Sequence, residues 1–127
     1  MKTYTRFFLL LLSFILAIFF SCTQKEEREK GKLYAVLKKN YWGYEDHNGN
    51  VVIDYKFDLA RPFVNNRAIV LLNDKYQIID ETGRSITKQY KDLDRVNDKY
   101  FLGGEYGERE LIDLQGKVIA DSLNSAH

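Results

Sequence analysis

The sequence predicts an all-β domain of three tandem antiparallel hairpin or meander units, each about 33–34 residues long. Three observations carry this expectation. Asp46, Asp80 and Asp113 recur 34 and 33 residues apart, and Gly49, Gly83 and Gly116 keep the same spacing. Short runs rich in β-branched and aromatic residues flank each Asp-x-x-Gly, a composition that suits strands. Between Lys32 and Leu123 nothing has the spacing of a long amphipathic helix.

The copies align as WGYEDHNGNVV (42–52), YQIIDETGRSI (76–86) and RELIDLQGKVI (109–119). A second block repeats in the same order, VNNRAIV (64–70) against VNDKYFL (96–102), and residues 32–37 open the first copy. Two recurring blocks in one order mark tandem units. Residues 34–37 and 41–45 flank Lys38-Lys39-Asn40, while 68–72 and 76–79 flank Asn73-Asp74-Lys75. Both read as hairpins with three-residue connections. Asp suits the first corner of a type I turn and Gly the fourth. Val51, Ile53, Tyr55 and Phe57 then alternate with Val52, Asp54, Lys56 and Asp58, the period of a half-buried strand. The total is about eight or nine strands. Three units are too few for a propeller of four or more blades, so an open twisted stack or an incomplete barrel is expected. Either would expose end strands that invite self-association or a partner strand.

Ahead of the repeats, Lys2 and Arg6 precede an apolar run over residues 7–20, 14 residues broken only by Ser13. That is short for a ~30 Å hydrocarbon core and fits the apolar stretch of a signal peptide. Ser21 and the only cysteine, Cys22, follow at once. This resembles a bacterial lipoprotein signal peptide, which implies removal of residues 1–21 and acylation of Cys22. An uncleaved anchor and an ordinary secreted protein are the alternatives. A lone thiol in an exported protein is otherwise an awkward reactive group, and two or more acyl chains at ~0.8 kcal/mol per buried methylene would hold the chain to a membrane. Residues 23–32, TQKEEREKGK, have no apolar side chain, so 22–32 is expected to be a disordered tether reaching at most ~33–36 Å from its ten residues. Gln24 to Glu27 is similar to an acidic signal that sends some lipoproteins to the outer face of the outer membrane; a plain linker is the alternative. Localisation is thus expected in the cell envelope at the outer membrane, with the periplasmic and surface faces both open. The repeat domain is placed at 33–123 and a frayed C-terminus at 124–127.

Lys and Arg total 19 against 18 Asp and Glu; without Lys2 and Arg6 the balance is 17 to 18. A near-neutral remainder argues against capture of nucleic acid.

The string Trp42-Gly43-Tyr44-x-Asp46-x-x-Gly49-x-Val51-Val52-Ile53, followed by Asp58-x-Ala60-x-Pro62-Phe63 and Arg67-Ala68-Ile69-Val70, is similar to the bacterial WG-repeat proteins. The resemblance covers most of residues 32–123. Tyr76-Gln77 and Arg109-Glu110 stand in place of Trp-Gly in the second and third copies. It implies repeated β-structure and often export or lipid anchoring, and it carries over no catalytic residues.

Each residue that stands out has two readings. Trp42 and Tyr44 lie two apart and share one face of a strand, as an aromatic platform for a partner or as core packing. Gly43 permits close backbone approach. The three repeated aspartates could suggest calcium, but one Asp per unit cannot supply six to eight oxygens, so turn capping is the better reading. His47 and His127 are the only histidines and make no metal site. The stretch Gly103-Gly104-Glu105-Tyr106-Gly107-Glu108 lacks the Lys-Ser/Thr pair of a phosphate loop and reads as the long hairpin loop of the third copy. Glu105, Tyr106 and Glu108 are its candidate partner-binding residues. No paired carboxylates or nucleophile–base set is visible, so no enzyme activity, cofactor or metal is expected. The favoured function is a lipid-anchored envelope protein whose β-repeat domain binds a protein or glycan. A structural envelope component without a discrete ligand is the alternative, and an enzyme acting on envelope polymers the third.

Overall fold

The computed structural model describes residues 2–20, 27–105 and 107–121. Helix α1 covers Lys2–Phe20, and among the described residues no helix is long and apolar enough to cross a membrane. Among the described residues everything regular after it is strand. Sheet 1 contains β1 (Tyr34–Lys38), β2 (Tyr41–Glu45) and β3 (Val51–Phe57) in that order. Sheet 2 contains β4 (Leu59–Ala60), β5 (Ala68–Leu72) and β6 (Lys75–Ile79). Sheet 3 runs β10-β9-β8-β7, from β7 (Leu93–Arg95), β8 (Tyr100–Gly103), β9 (Glu110–Asp113) and β10 (Val118–Ala120). All pairings are antiparallel. Ten strands form among the described residues, slightly more than expected, because short β4 and β7 pair ahead of the second and third hairpins.

The first two hairpins have two-residue turns, correcting the three residues expected from sequence. Lys39 and Asn40, and again Asn73 and Asp74, both take positive φ (50° and 71°, 52° and 60°). Such turns match the right-handed twist of the flanking strands, so Lys38 and Lys75 are drawn into β1 and β6. The Asp-x-x-Gly turns are the same in all three units. Each Gly N–H donates to the Asp carbonyl (3.1, 3.0 and 3.0 Å). Each Asp Oδ1 accepts from the amides two and four residues on, at 2.8 and 2.9 Å for Asp46, 2.9 and 3.1 Å for Asp80, and 2.9 and 2.9 Å for Asp113. The repeated aspartates are turn caps.

The strand after the turn is less regular than the turn. β3 bulges opposite β2. In the second unit the corresponding segment shrinks to bridges from Ile79 to Ser85 and from Tyr76 to Tyr90; between them the Ile78 N–H turns to Thr87 Oγ1 at 3.1 Å.

The three sheets stack on two cores. Tyr44, Ile53, Phe57, Ala68, Val70 and Ile79 fill the first, between sheets 1 and 2. Ile69, Ile78, Tyr90, Leu93, Phe101 and Ile112 fill the second, between sheets 2 and 3. Sheet 2 is therefore apolar on both faces, which explains the unbroken AIVLL run of β5. Polar contacts between residues 33 apart tie successive units together: Arg61 Nη1 to Asp94 Oδ1 at 3.1 Å, and Asn65 Nδ2 to the Asp98 carbonyl at 2.8 Å. Three separate sheets and no closed barrel make this an open stack.

Candidate functional site

Strand β2 places the expected aromatics. Leu37, Trp42 and Phe57 are cross-strand neighbours, as are Ala35, Tyr44 and Ile53, so these side chains share the face turned to sheet 2. Tyr44 is fully buried, and its hydroxyl donates to the Arg61 carbonyl at 2.8 Å. Burial pushes that hydroxyl's pKa well up. Trp42 is half-buried against the same core. The Tyr44 ring is packed in the core with no surface left for a partner, while Trp42 stays half-exposed beside it.

Gly43, between them, faces the bulge of β3. A Cβ there would stand 2.7 Å from the Ile53 carbonyl oxygen and 2.9 Å from Tyr55 N. Only glycine lets that backbone come so close, and the bulge in turn brings Tyr55 to the outer face. There its hydroxyl donates to Glu45.

Glu45 is the feature that sequence reasoning missed. It is 5% exposed, and its carboxylate accepts from Lys38 Nζ at 2.7 Å and Arg28 Nη1 at 3.2 Å besides Tyr55. The Lys38 and Tyr55 hydrogen bonds, then Arg28, hold its pKa down to about 2. One signal was available: the equivalent positions in the other units are Ile79 and Ile112, each buried toward the preceding sheet. Among the described residues no sheet precedes the first unit, and charged groups take the place of apolar contact. Arg28 also stacks over Tyr34 at 5.0 Å, and the Glu29 N–H donates to the Tyr34 hydroxyl at 2.5 Å. Arg28 and Glu29 thus lie against sheet 1. Residues 21–26, and with them Cys22, lie outside the described residues.

A depressed carboxylate stabilises the fold above its ordinary value near 4.5 and loses that contribution as pH falls toward 2. Glu45→Gln is expected to be less stable at pH 7 and to show a shallower loss of stability between about pH 4.5 and 2. Urea unfolding midpoints across that range test this; parallel acid limbs for mutant and wild type would contradict it.

The third hairpin carries the other expected site. Its connection runs from Gly104 to Arg109, and Gly104 (φ 111°) has room for no side chain, since a Cβ would sit 2.2 Å from the Glu108 carbonyl oxygen. The loop rims an open hollow of about 470 Å³ lined by Lys88, Tyr90, Lys91, Glu105, Glu108 and Glu110 among others. Lys91 pairs with Glu105 at 2.5 Å and Lys88 with Glu110 at 2.8 Å; each lysine lowers its partner's pKa. Tyr90 donates to Glu110 at 2.8 Å. Glu108 makes no ion pair among the described residues. Tyr106 lies outside them. The structure therefore joins Glu105 and Glu108 at one rim and places Trp42 and Tyr44 elsewhere, in the first core. Exposed ion pairs are worth little each, so these can be exchanged for a partner's charges at small cost. His47 lines a separate open hollow with Arg28 and Tyr34. Among the described residues no three His, Cys, Asp or Glu stand together as metal ligands do.

A search of curated proteins and a search of solved structures each returned no match to the chain. The family model described as WG containing repeat matches residues 42–76. That segment begins at the Trp42-Gly43 step, passes through the first Asp turn and the bulged β3, and reaches β6, so it contains the packing of one sheet on the next. Residues 42–76 are thus similar to one unit of the WG-repeat family.

Proposed function

We propose that this chain is a lipid-anchored envelope protein whose β-repeat domain binds a protein partner without catalysing a reaction. The observation that carries the binding reading is the charged rim of the third hairpin, where Glu108 makes no ion pair among the described residues and two ion pairs flank the hollow. Commitment of Tyr44 to the core moves recognition away from aromatic stacking on a glycan and toward charge matching with a protein. Such rim charges act chiefly on partner choice and association rate. Cross-linking capture with wild-type chain and with Glu105→Lys/Glu108→Lys tests it: a partner lost from the double mutant supports the reading, and equal capture, or none by either, favours a structural component.

Anchoring is supported by Lys2 and Arg6, the apolar run over residues 7–20, and Ser21-Cys22 immediately after it. The expected anchorage is the outer membrane. Cys22→Ser is expected to abolish fatty-acid labelling and release the chain from membranes. Labelling that survives the substitution would sink the lipoprotein reading while leaving the binding reading intact.

A further inference from the structure

Among the described residues one sheet edge is unguarded. In the β1–β2 hairpin the two-residue turn makes Lys38 and Tyr41 a doubly hydrogen-bonded pair, and bonding alternates from there along the register. Tyr34, Val36 and Lys38 therefore direct their backbone groups to β2. Ala35 and Leu37 direct theirs to the opposite side, where no strand of the described residues lies.

The remaining edges carry the devices that discourage pairing. β3 and β10 have register shifts, β4 has two residues and stands just before Pro62, and β7 has three. β6 is covered by the bridging segment at Ser85 and Tyr90. β1 has five residues, no bulge and no proline, with its single lysine at the end. Among the described residues no backbone hydrogen bond from 27–32 reaches Ala35 or Leu37, and Arg28 crosses the outer face to reach Glu45 and the Asp46 carbonyl. The charges around Glu45 seal that outer face against another apolar sheet, so association at this end must run edge to edge.

We propose that two copies of this chain pair through β1, antiparallel about a two-fold axis at Val36. The strand is self-complementary in this register. Ala35 and the partner's Leu37 form a doubly hydrogen-bonded pair, and the symmetry repeats it. Val36 meets the partner's Val36 on the outer face, and Tyr34 lies opposite the partner's Lys38. On the inner face Leu37, 51% exposed in the single chain, is covered by the partner's Ala35 and Leu33. The result is one six-stranded sheet spanning both copies.

Disulfide trapping of the full chain in detergent tests the strand and the register together. With Cys22→Ser removing the only thiol, Val36→Cys places two thiols at a non-hydrogen-bonded pair, where Cβ atoms are roughly 4.5–5.5 Å apart. Under mild oxidation this variant is expected to yield disulfide-linked dimer at least tenfold faster than Val96→Cys, a control whose native residue is 55% exposed. Adding Leu37→Lys, a charge at the edge of a site already half-exposed, is expected to cut that rate at least tenfold while circular dichroism remains that of the folded chain. Equal trapping at Val36 and Val96 would overturn the proposal. So would trapping at Val36 that is indifferent to Leu37→Lys, since pairing would then run through another part of the chain.

Discussion

Gly116→Ala is expected to destabilise the repeat domain by about 3–5 kcal/mol, whereas Gly49→Ala costs about 1–2 kcal/mol. Both glycines close an Asp turn with left-handed backbone, φ 82° and 85°, so each substitution incurs the same conformational penalty. They differ in what lies above them. A Cβ on Gly116 would stand 2.2 Å from the Ile86 carbonyl oxygen in the preceding unit, so backbone must move; on Gly49 the nearest group is Glu45 Oε2 at 3.8 Å. Gly83→Ala should fall between, because its Cβ meets the Ile53 side chain at 3.1 Å, which can yield. Ile53 and Ile86 are 33 apart, as are Gly83 and Gly116. The turn of each unit therefore presses on the post-turn strand of the unit before it, and the first turn has none to press on. Urea unfolding of the three variants measures the gradient; equal losses would mean that the turns do not lock the units together.

That gradient marks the boundary of what the sequence reveals. An Asp side chain that serves amides two and four residues on is a local device, so the spacing of Asp46, Asp80 and Asp113 was enough to place the turns. The strands on either side followed from local composition for the same reason. Stacking is different. Nothing in AIVLL states that Ile69 faces the second core while Ala68 and Val70 face the first, because both faces of β5 are apolar and the pattern has no period to read. Glu45 was hidden by distance: Arg28 approaches from 17 residues upstream, and Tyr55 reaches it only because β3 bulges at Gly43. The same bulge breaks the strict alternation expected of residues 51–58. Glu105 and Glu108 could be placed on the third loop from its glycines, yet the pairing of Glu105 depended on where Lys91 comes to lie, and that of the neighbouring Glu110 on Lys88.

Tyr44→Ala is expected to destabilise the domain by about 3–5 kcal/mol, comparable to the loss of a buried aromatic elsewhere. The ring is fully buried and meets Phe63 edge-on at 4.7 Å and Phe57 at 6.4 Å, contacts that add about 0.5–1.5 kcal/mol each beyond area burial. Removing it opens a cavity where sheets 1 and 2 join, so Trp42, the only tryptophan, should report the unfolding by fluorescence. Tyr44→Phe keeps the ring and deletes only the hydroxyl, leaving the Arg61 carbonyl without its 2.8 Å donor, a loss of about 1–2 kcal/mol. The pair of substitutions separates packing from recognition. If the tyrosine serves the core alone, Tyr44→Phe retains full partner capture at temperatures where it is folded. Capture lost by a folded Tyr44→Phe variant would mean that its hydroxyl reaches a partner after all, through an opening of the first hairpin that exposes β2.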